Sequence, residues 1–269
     1  MQRQHFPMTF DAFERLPRKP GWKYEYFNGE AVLSPKSLCV VTTVAVEPRT
    51  VRSRFLLRSA IPDDEGQLID AYLEAFKDTV EYCDWPAEAT ERSARETIQQ
   101  FFGGDRRQPH GASRLAVADE RPEESRVLGA ALVIEGRSGP VLDLLFSRPR
   151  WQRQGLATAL VSAVLSRLHD EGARHLTSRY LLANEASRAW HQSFGFVDEP
   201  DLWVAQAYHR CARHAVWRAE QMGDVDERER TRLEKVALRW SREVERLERL
   251  ADEEGFDAVL PWRRLDRHR

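Results

Sequence analysis

The stretch Gln152-Arg153-Gln154-Gly155-Leu156-Ala157-Thr158 joins a glycine and a guanidinium to the opening of a helix, a combination suited to binding an anion. Leu156, Ala157, Leu160, Val161, Val164, Leu165 and Leu168 recur at helical spacing behind it, so the loop feeds its backbone N–H groups into a helix N-terminus. Those first-turn N–H groups lack an acceptor within the helix, the helix dipole adds partial positive charge, and Gly155 removes the side chain that would block close approach. An apolar run over residues 141–146 delivers the chain to this loop and carries one acid, Asp143. A carboxylate in a central strand is a candidate general base, directly or through water, and equally a partner for a neighbouring cation. Strand alternation places it on the face of Leu145 and Ser147. Further on, Asn184 opens a second helix, where its amide can cap the helix and also donate and accept toward a ligand. His191 on that helix titrates near about 6.5 when unperturbed, and is either a proton donor or a packing residue.

The spacing of these residues carries a resemblance. Gln152-x-x-Gly155-x-Ala157 after a strand resembles the Q/R-x-x-G-x-G/A signature of the GCN5-related N-acetyltransferases, the GNAT family. The segment Asn184-Glu185-Ala186-Ser187-Arg188-Ala189-Trp190-His191-Gln192-Ser193-Phe194-Gly195-Phe196 is similar to that family's N-x-x-A-x-x-L-Y-x-x-x-G-F run, with Ser187 for the usual Ala and His191 for the usual Tyr. The resemblance implies an α/β (α+β) GNAT fold, with a mixed central sheet of about six to seven strands flanked by helices and splayed after its fourth strand. It implies an enzyme that transfers the acetyl group of acetyl-CoA, as cosubstrate, to a primary amine by direct attack. Amide groups of Gln152, Arg153, Gln154, Gly155, Leu156, Ala157 and Thr158 would hold the pyrophosphate, and the Arg153 guanidinium would add charge. Backbone groups of Phe146 and Ser147 would pair with the pantetheine arm and polarise the carbonyl. Asn184 and Ser187 would lie beside that arm, with Asp143 as base and His191 as donor to the departing sulfur. The acceptor is open between a small-molecule and a peptide amine. The altered tyrosine position keeps a rival reading in play, a non-catalytic acyl-CoA-binding or partner-docking protein on the same fold.

Composition narrows the setting. A chain of 269 residues holds one ordinary domain plus additions. A formal charge of -2 gives no reason to expect nucleic acid as a partner. Cys39, Cys83 and Cys211 are far apart and form no CxxC pair, so neither a metal site nor a disulfide framework is expected, and a cytoplasmic setting fits best. The start MQRQHFPMTF lacks an apolar signal core, and no run approaches the roughly 18 apolar residues of a membrane span, so secretion and membrane insertion are not expected.

Around the motifs, the pattern predicts the elements that must position them. Residues 9–17 read as a short helix with Thr9 as N-cap, and residues 24–27 and 30–33 flank Asn28-Gly29 as a hairpin with a type I′ turn. Residues 38–46 form a Val/Thr-rich strand. This N-terminal extension, residues 1–48, faintly resembles the opening of Uma2-type nuclease-like proteins in Thr9-x-x-x-Phe13-x-x-Leu16-Pro17, Tyr24-Glu25-x-x-x-Gly29-Glu30 and Ser34-Pro35. It lacks their second acidic cluster, so the reading adopted is an added hairpin that extends or covers a sheet edge. Within a core spanning residues 51–202, strands are expected at 54–59, 113–118, 127–134, 141–146 and 175–182. Helices are expected at 63–76, 87–102, 184–193 and from the Gly155 loop to Gly172. Tyr72, Phe76, Tyr82, Trp85, Phe101 and Phe102 either shape an acceptor pocket or pack as core. Residues 203–254 read as an antiparallel helical hairpin that turns at Gly223-Asp224 and offers a surface for a partner or a homodimer. In the terminal piece, residues 255–269, a last strand over 258–260 is expected to close the sheet.

Overall fold

The computed structural model describes residues 3–50, 53–103, 108–118, 126–223 and 225–261; Asp224 of the hairpin turn lies outside these. The N-terminal unit is a three-stranded sheet of β1 (Gln4–Pro7), β2 (Trp22–Phe27) and β3 (Glu30–Pro35) in the order β1-β3-β2, with α1 (Phe10–Glu14) beside it. Asn28 and Gly29 both take positive φ, 50° and 82°, as a two-residue turn between right-twisted strands requires. Phe13 and Phe10 of α1 pack on Tyr26 with ring centroids 5.3 and 5.4 Å away.

The main sheet has seven strands. They are β4 (Cys39–Ala45), β5 (Leu56–Ser59), β6 (Arg114–Val117), β7 (Val127–Gly136), β8 (Gly139–Ser147), β9 (His175–Leu181) and β10 (Val197–Glu199), in the order β10-β4-β9-β8-β7-β6-β5. Every neighbouring pair is antiparallel except β8 and β9. α2 (Glu65–Phe76) and α3 (Ala87–Gly103) cover one face, burying Leu68, Tyr72, Ile98 and Phe101 against Leu115, Leu132 and Phe146. α4 (Leu156–Asp170) and α5 (Glu185–Phe194) cover the other, where Leu160, Val164, Leu165 and Phe194 meet Leu128, Val133, Leu142 and Leu176. α6 (Leu202–Met222) and α7 (Glu227–Glu254) form the expected helical hairpin, with Tyr208 stacked on Trp240 at 4.3 Å. Val204 and Ala207 of α6 pack on Val40, Tyr180 and Leu182 of the sheet.

Two expectations are corrected here. Residues 258–260 form no closing strand: Phe256–Val259 is a 3-10 turn whose Val259 packs beneath the hairpin against Leu202, Ala205, Val244 and Leu247. The position between β9 and β10 is taken instead by β4, from the N-terminal segment. β4 buries Val40, Val41 and Val44 over its two faces, and such a β-branched strand suits a central position, whereas the short run after Gly255 carries Asp257 and ends at Pro261. The strand assigned to an edge-covering extension is therefore part of the core sheet, while β1 to β3 form a separate one.

One glycine in β7 fixes how closely α4 approaches the sheet. A Cβ on Gly129 would lie 2.6 Å from Leu156 Cδ2, in the first residue of α4, and 2.6 Å from the Phe146 carbonyl oxygen. Gly129→Ala is expected to cost about 1–3 kcal/mol through overpacking. A urea-unfolding midpoint equal to that of the parent protein would show that the contact is not tight.

Candidate active site

The site is built where β8 and β9 part. These parallel strands are paired only at Val141↔Thr177 and Leu142↔Ser178, after which residues 144–147 of β8 have no ladder partner on that side. Hydrogen-bonding edges left open in this way accept an extended ligand as an added strand. A bulge marks the same point. β8 pairs with β7 at Leu144↔Leu132 and then at Leu142↔Val133, so Asp143 is the extra residue. Its consequence is visible in the packing, since Leu142 faces the α4 core while Leu144 and Phe146 face the α2 core.

The bulge corrects the expected face of Asp143. Leu145 packs toward α4, but the Asp143 carboxylate lies 3.6 Å from the Arg179 guanidinium and near enough to Tyr72 of α2 to act on its charge. The Tyr72 hydroxyl is held well above the usual phenol pKa by burial first, then by its 2.8 Å hydrogen bond to Tyr82 and by the charges of Glu81 and Asp143. Of the aromatic residues expected either to shape a pocket or to pack as core, Tyr72, Tyr82 and Phe101 are buried, Phe76 and Phe102 pack against the α2–α3 core, and Trp85 is exposed.

At the end of β8 the chain makes a 3-10 turn, Pro149–Trp151, and enters the loop. Ser147 is buried, and its carbonyl accepts from Gln152 Nε2 at 3.2 Å. Arg153 has φ 56° and Gly155 φ 81°, and Gly155 is the N-cap of α4 with no side-chain cap bond. The first helical bond runs from the Ala159 N–H to the Gly155 carbonyl at 2.9 Å, leaving Leu156, Ala157 and Thr158 N–H groups at the open helix end. Nothing lies within 4 Å of where a Gly155 Cβ would stand, so the end is clear. Gln154 is held from both sides, donating to the Arg150 carbonyl at 2.7 Å and accepting from Arg54. The Thr158 hydroxyl accepts from the Trp190 indole at 3.4 Å.

The second motif lies against the other side of β9. Asn184 caps α5, its Oδ1 accepting from the Ser187 N–H at 2.9 Å, while its Nδ2 donates to Glu81 Oε1 at 2.7 Å. The other oxygen of Glu81 is buried and has no hydrogen-bond partner. His191 is 3% exposed and stacks on Tyr180 at 5.1 Å. Its Nδ1 donates to the Ser187 carbonyl at 2.8 Å, with the Ser187 hydroxyl at 3.3 Å. Its Nε2 meets the Ser178 hydroxyl at 3.1 Å, and that hydroxyl also lies 3.3 Å from the Leu142 carbonyl, so one proton serves both. The network therefore ends on Leu142↔Ser178, the last rung before the strands part.

These observations meet in a comparison with known proteins. The family profile described as an acetyltransferase (GNAT) domain matches residues 54–197, more than half of the chain. The chain belongs to the GNAT acetyltransferase family. Similar solved structures include a GCN5-related N-acetyltransferase from Sphaerobacter thermophilus, 18% identical over 60% of this chain and 48% of that one, with a TM-score of 0.41. The PaiA N-acetyltransferase from Thermoplasma acidophilum in complex with coenzyme A is 16% identical over 55% of this chain and 94% of that one, at a TM-score of 0.45. The aminoglycoside N-acetyltransferase AAC(6')-Iy in complex with CoA is 19% identical over 56% and 91%, at 0.40. This chain spans about half the length of the Sphaerobacter protein. No protein of curated function matches.

Within this GNAT domain, Asp143, Phe146, Ser147 and the loop 152–158 follow one another along β8 and into the start of α4, whereas Ser187 and His191 belong to the packing between α5 and β9. Sequence reasoning missed Glu81, which reaches Asn184 across 103 residues, and Arg148, a buried cation that donates to the Val127 carbonyl at 2.6 Å and pairs with Glu74. Among the described residues no helix is long and apolar enough to cross a membrane, and no cluster of His, Cys, Asp and Glu is arranged for a metal ion.

His191 also carries a pH signature. Burial pushes its pKa below the usual imidazole value, with the Ser187 carbonyl and Asp198 opposing the shift. Native His191 then binds fewer protons than the unfolded imidazole, so its contribution to stability is full above the unfolded pKa of about 6.5 and is lost as pH falls from there toward the lowered folded value. Unfolding free energy is expected to drop as pH falls below about 7, with up to ~1.4 kcal/mol per pH unit coming from this group. Urea titrations of His191→Gln should show a shallower drop; an unchanged pH slope would remove His191 as its source.

Proposed function

We propose that this GNAT chain is an acetyl-CoA-dependent N-acetyltransferase that acts on a primary amine of a small molecule or peptide by direct attack. The observation that carries the reading is the continuity of the β8 edge that β9 leaves open, residues 144–147, with the open N-terminus of α4 at Gly155. The residues suit the cosubstrate: an anion is favoured at a clear helix end flanked by Arg153, and the pantetheine amides are matched by free strand groups. When bound, acetyl-CoA supplies an activated acetyl thioester. Backbone groups at Phe146 and Ser147 orient and polarise its carbonyl, and residues 152–158 hold its phosphates.

Asp143 takes the proton of the attacking amine, directly or through water, because an alkylamine with a pKa of about 10.4 is almost wholly protonated at neutral pH. Arg179 at 3.6 Å holds the carboxylate toward the cleft. Glu81 and Asp143 together make the acceptor side anionic, which attracts an ammonium before it is deprotonated. We assign His191 to packing: both ring nitrogens are engaged and burial favours its neutral form, so water protonates the leaving sulfur.

The reading is tested by thiol release from acetyl-CoA in the presence of a broad panel of primary amines. Release that depends on one class of amine is the expected result. A protein that binds acetyl-CoA yet releases no thiol with any amine would be an acyl-CoA-binding module instead.

A further inference from the structure

Between the N-terminal unit and α6 lies a cavity of about 220 Å3 that no part of the acetyl-transfer reading uses. Arg18, Lys19, Lys36 and Arg210 line it, and among the described residues no carboxylate does. Lys19 is paired with Glu185 at 3.1 Å, while Arg18, Lys36 and Arg210 have no ion-pair partner among the described residues. Arg18 is held rigidly, its guanidinium between the rings of Phe13 and Tyr24 at 4.3 and 4.4 Å, with Nη2 donating to the Phe13 carbonyl at 3.2 Å.

Three polar atoms around this cavity are buried without a hydrogen-bond partner: Arg18 Nη1, Trp22 Nε1 and His214 Nδ1. Buried polar atoms left without a hydrogen bond are costly, and three around one cationic cavity imply a group that satisfies them together. Their chemistry is specific. Arg18 and Trp22 supply donors. His214 Nε2 lies 2.8 Å from the Glu14 carbonyl, which only accepts, so Nε2 carries the proton and the neutral ring presents Nδ1 as an acceptor. Burial, with Arg18 and Arg218 assisting against the Glu14 contacts, keeps this ring below the usual imidazole pKa and hence neutral.

We propose that this cavity is a binding site for a phosphate group that carries a proton, either free hydrogen phosphate or the singly protonated end of a phosphomonoester. Such a group offers several acceptor oxygens to Arg18 and Trp22 and one O–H to His214, beside three cations that have no ion-pair partner among the described residues. Sulfate at neutral pH offers the acceptors without the proton. The volume agrees with a small ligand, lying below the roughly 300–1,000 Å3 of drug-sized pockets. The cavity rim is tied to the start of α5, since Lys19 pairs with Glu185 and a Cβ on Gly21 would fall 2.6 Å from the Ala183 N.

The proposal is independent of acetyl transfer, and its test keeps the two apart. Calorimetric titration of the full chain with inorganic phosphate, glycerol phosphate and sulfate is compared with the same titrations of Arg18→Gln, Trp22→Phe and the loop variant Arg153→Ala. Phosphate is expected to bind more tightly than sulfate; glycerol phosphate as the stronger of the two phosphates would identify an ester as the source. Arg18→Gln should weaken binding about ten- to a hundredfold, the loss of one charged hydrogen bond, and Trp22→Phe, which keeps the aromatic packing, by several-fold to about tenfold. Arg153→Ala should leave it unchanged. Absence of phosphate binding at millimolar concentration, sulfate binding as tight as phosphate, or binding lost in Arg153→Ala and retained in Trp22→Phe would each overturn the proposal.

Discussion

Asp143→Asn is expected to lower kcat about 10²–10⁴-fold at neutral pH, the range supplied by a positioned general base, or about 3–5 kcal/mol of barrier. The substitution keeps the size of the side chain and its place in the bulge, and it leaves the unpaired β8 edge intact. KM for acetyl-CoA should therefore change little. The variant also makes a second expectation available. Without a carboxylate to take the proton, the rate depends on the fraction of amine that is neutral in solution, which rises about tenfold per pH unit below its pKa of about 10.4. Rate against pH should then climb through the alkaline range in the variant more steeply than in the parent. A variant with parental kcat at neutral pH would assign Asp143 to its ion pair with Arg179 alone.

Gly155→Val should raise the acetyl-CoA dissociation constant about a hundredfold, or ~2.7 kcal/mol. Two effects add. A β-branched residue at φ 81° is strained by about 1–2 kcal/mol, and its side chain enters the space where the pyrophosphate approaches the Leu156, Ala157 and Thr158 N–H groups. Gly172, just beyond the other end of α4, provides the control. It has φ 78° and, like Gly155, nothing within 4 Å of where a Cβ would stand, so Gly172→Val carries the strain without the anion site. Weakening confined to Gly155→Val places the ligand at the helix N-terminus. Equal weakening in both variants would mean that strain in α4, rather than occlusion of a phosphate site, is what binding senses.

Local chemistry made much of this molecule readable. The α4 stripe, the Asn28-Gly29 turn, the Gly155 N-cap and the Asn184 cap all follow from short-range rules, and each lies where its sequence implies. What was not readable depends on partners distant in sequence. Residues 39–45 announce a strand by their β-branched pattern, but nothing in them says that it pairs with β9 and β10 at the far end of the domain. The bulge at Asp143 is a property of the register between β7 and β8, so alternation within β8 alone put the acid on the wrong face. Glu81 and Arg148 acquire meaning only when Asn184 and Glu74 arrive beside them, 103 and 74 residues away in the chain. Glu81 and Asp143 thus come within electrostatic reach of Tyr72 only through folding, while the loop 152–158 was complete in seven consecutive residues.

The central claim is that acetyl-CoA lies along the open edge of β8 with its pyrophosphate at the start of α4, and amide hydrogen exchange with and without saturating acetyl-CoA tests it most directly. Exchange should slow at residues 153–158 and 144–147 and stay unchanged in the three-stranded N-terminal sheet. Unchanged exchange in both of those segments under saturating ligand would contradict the account.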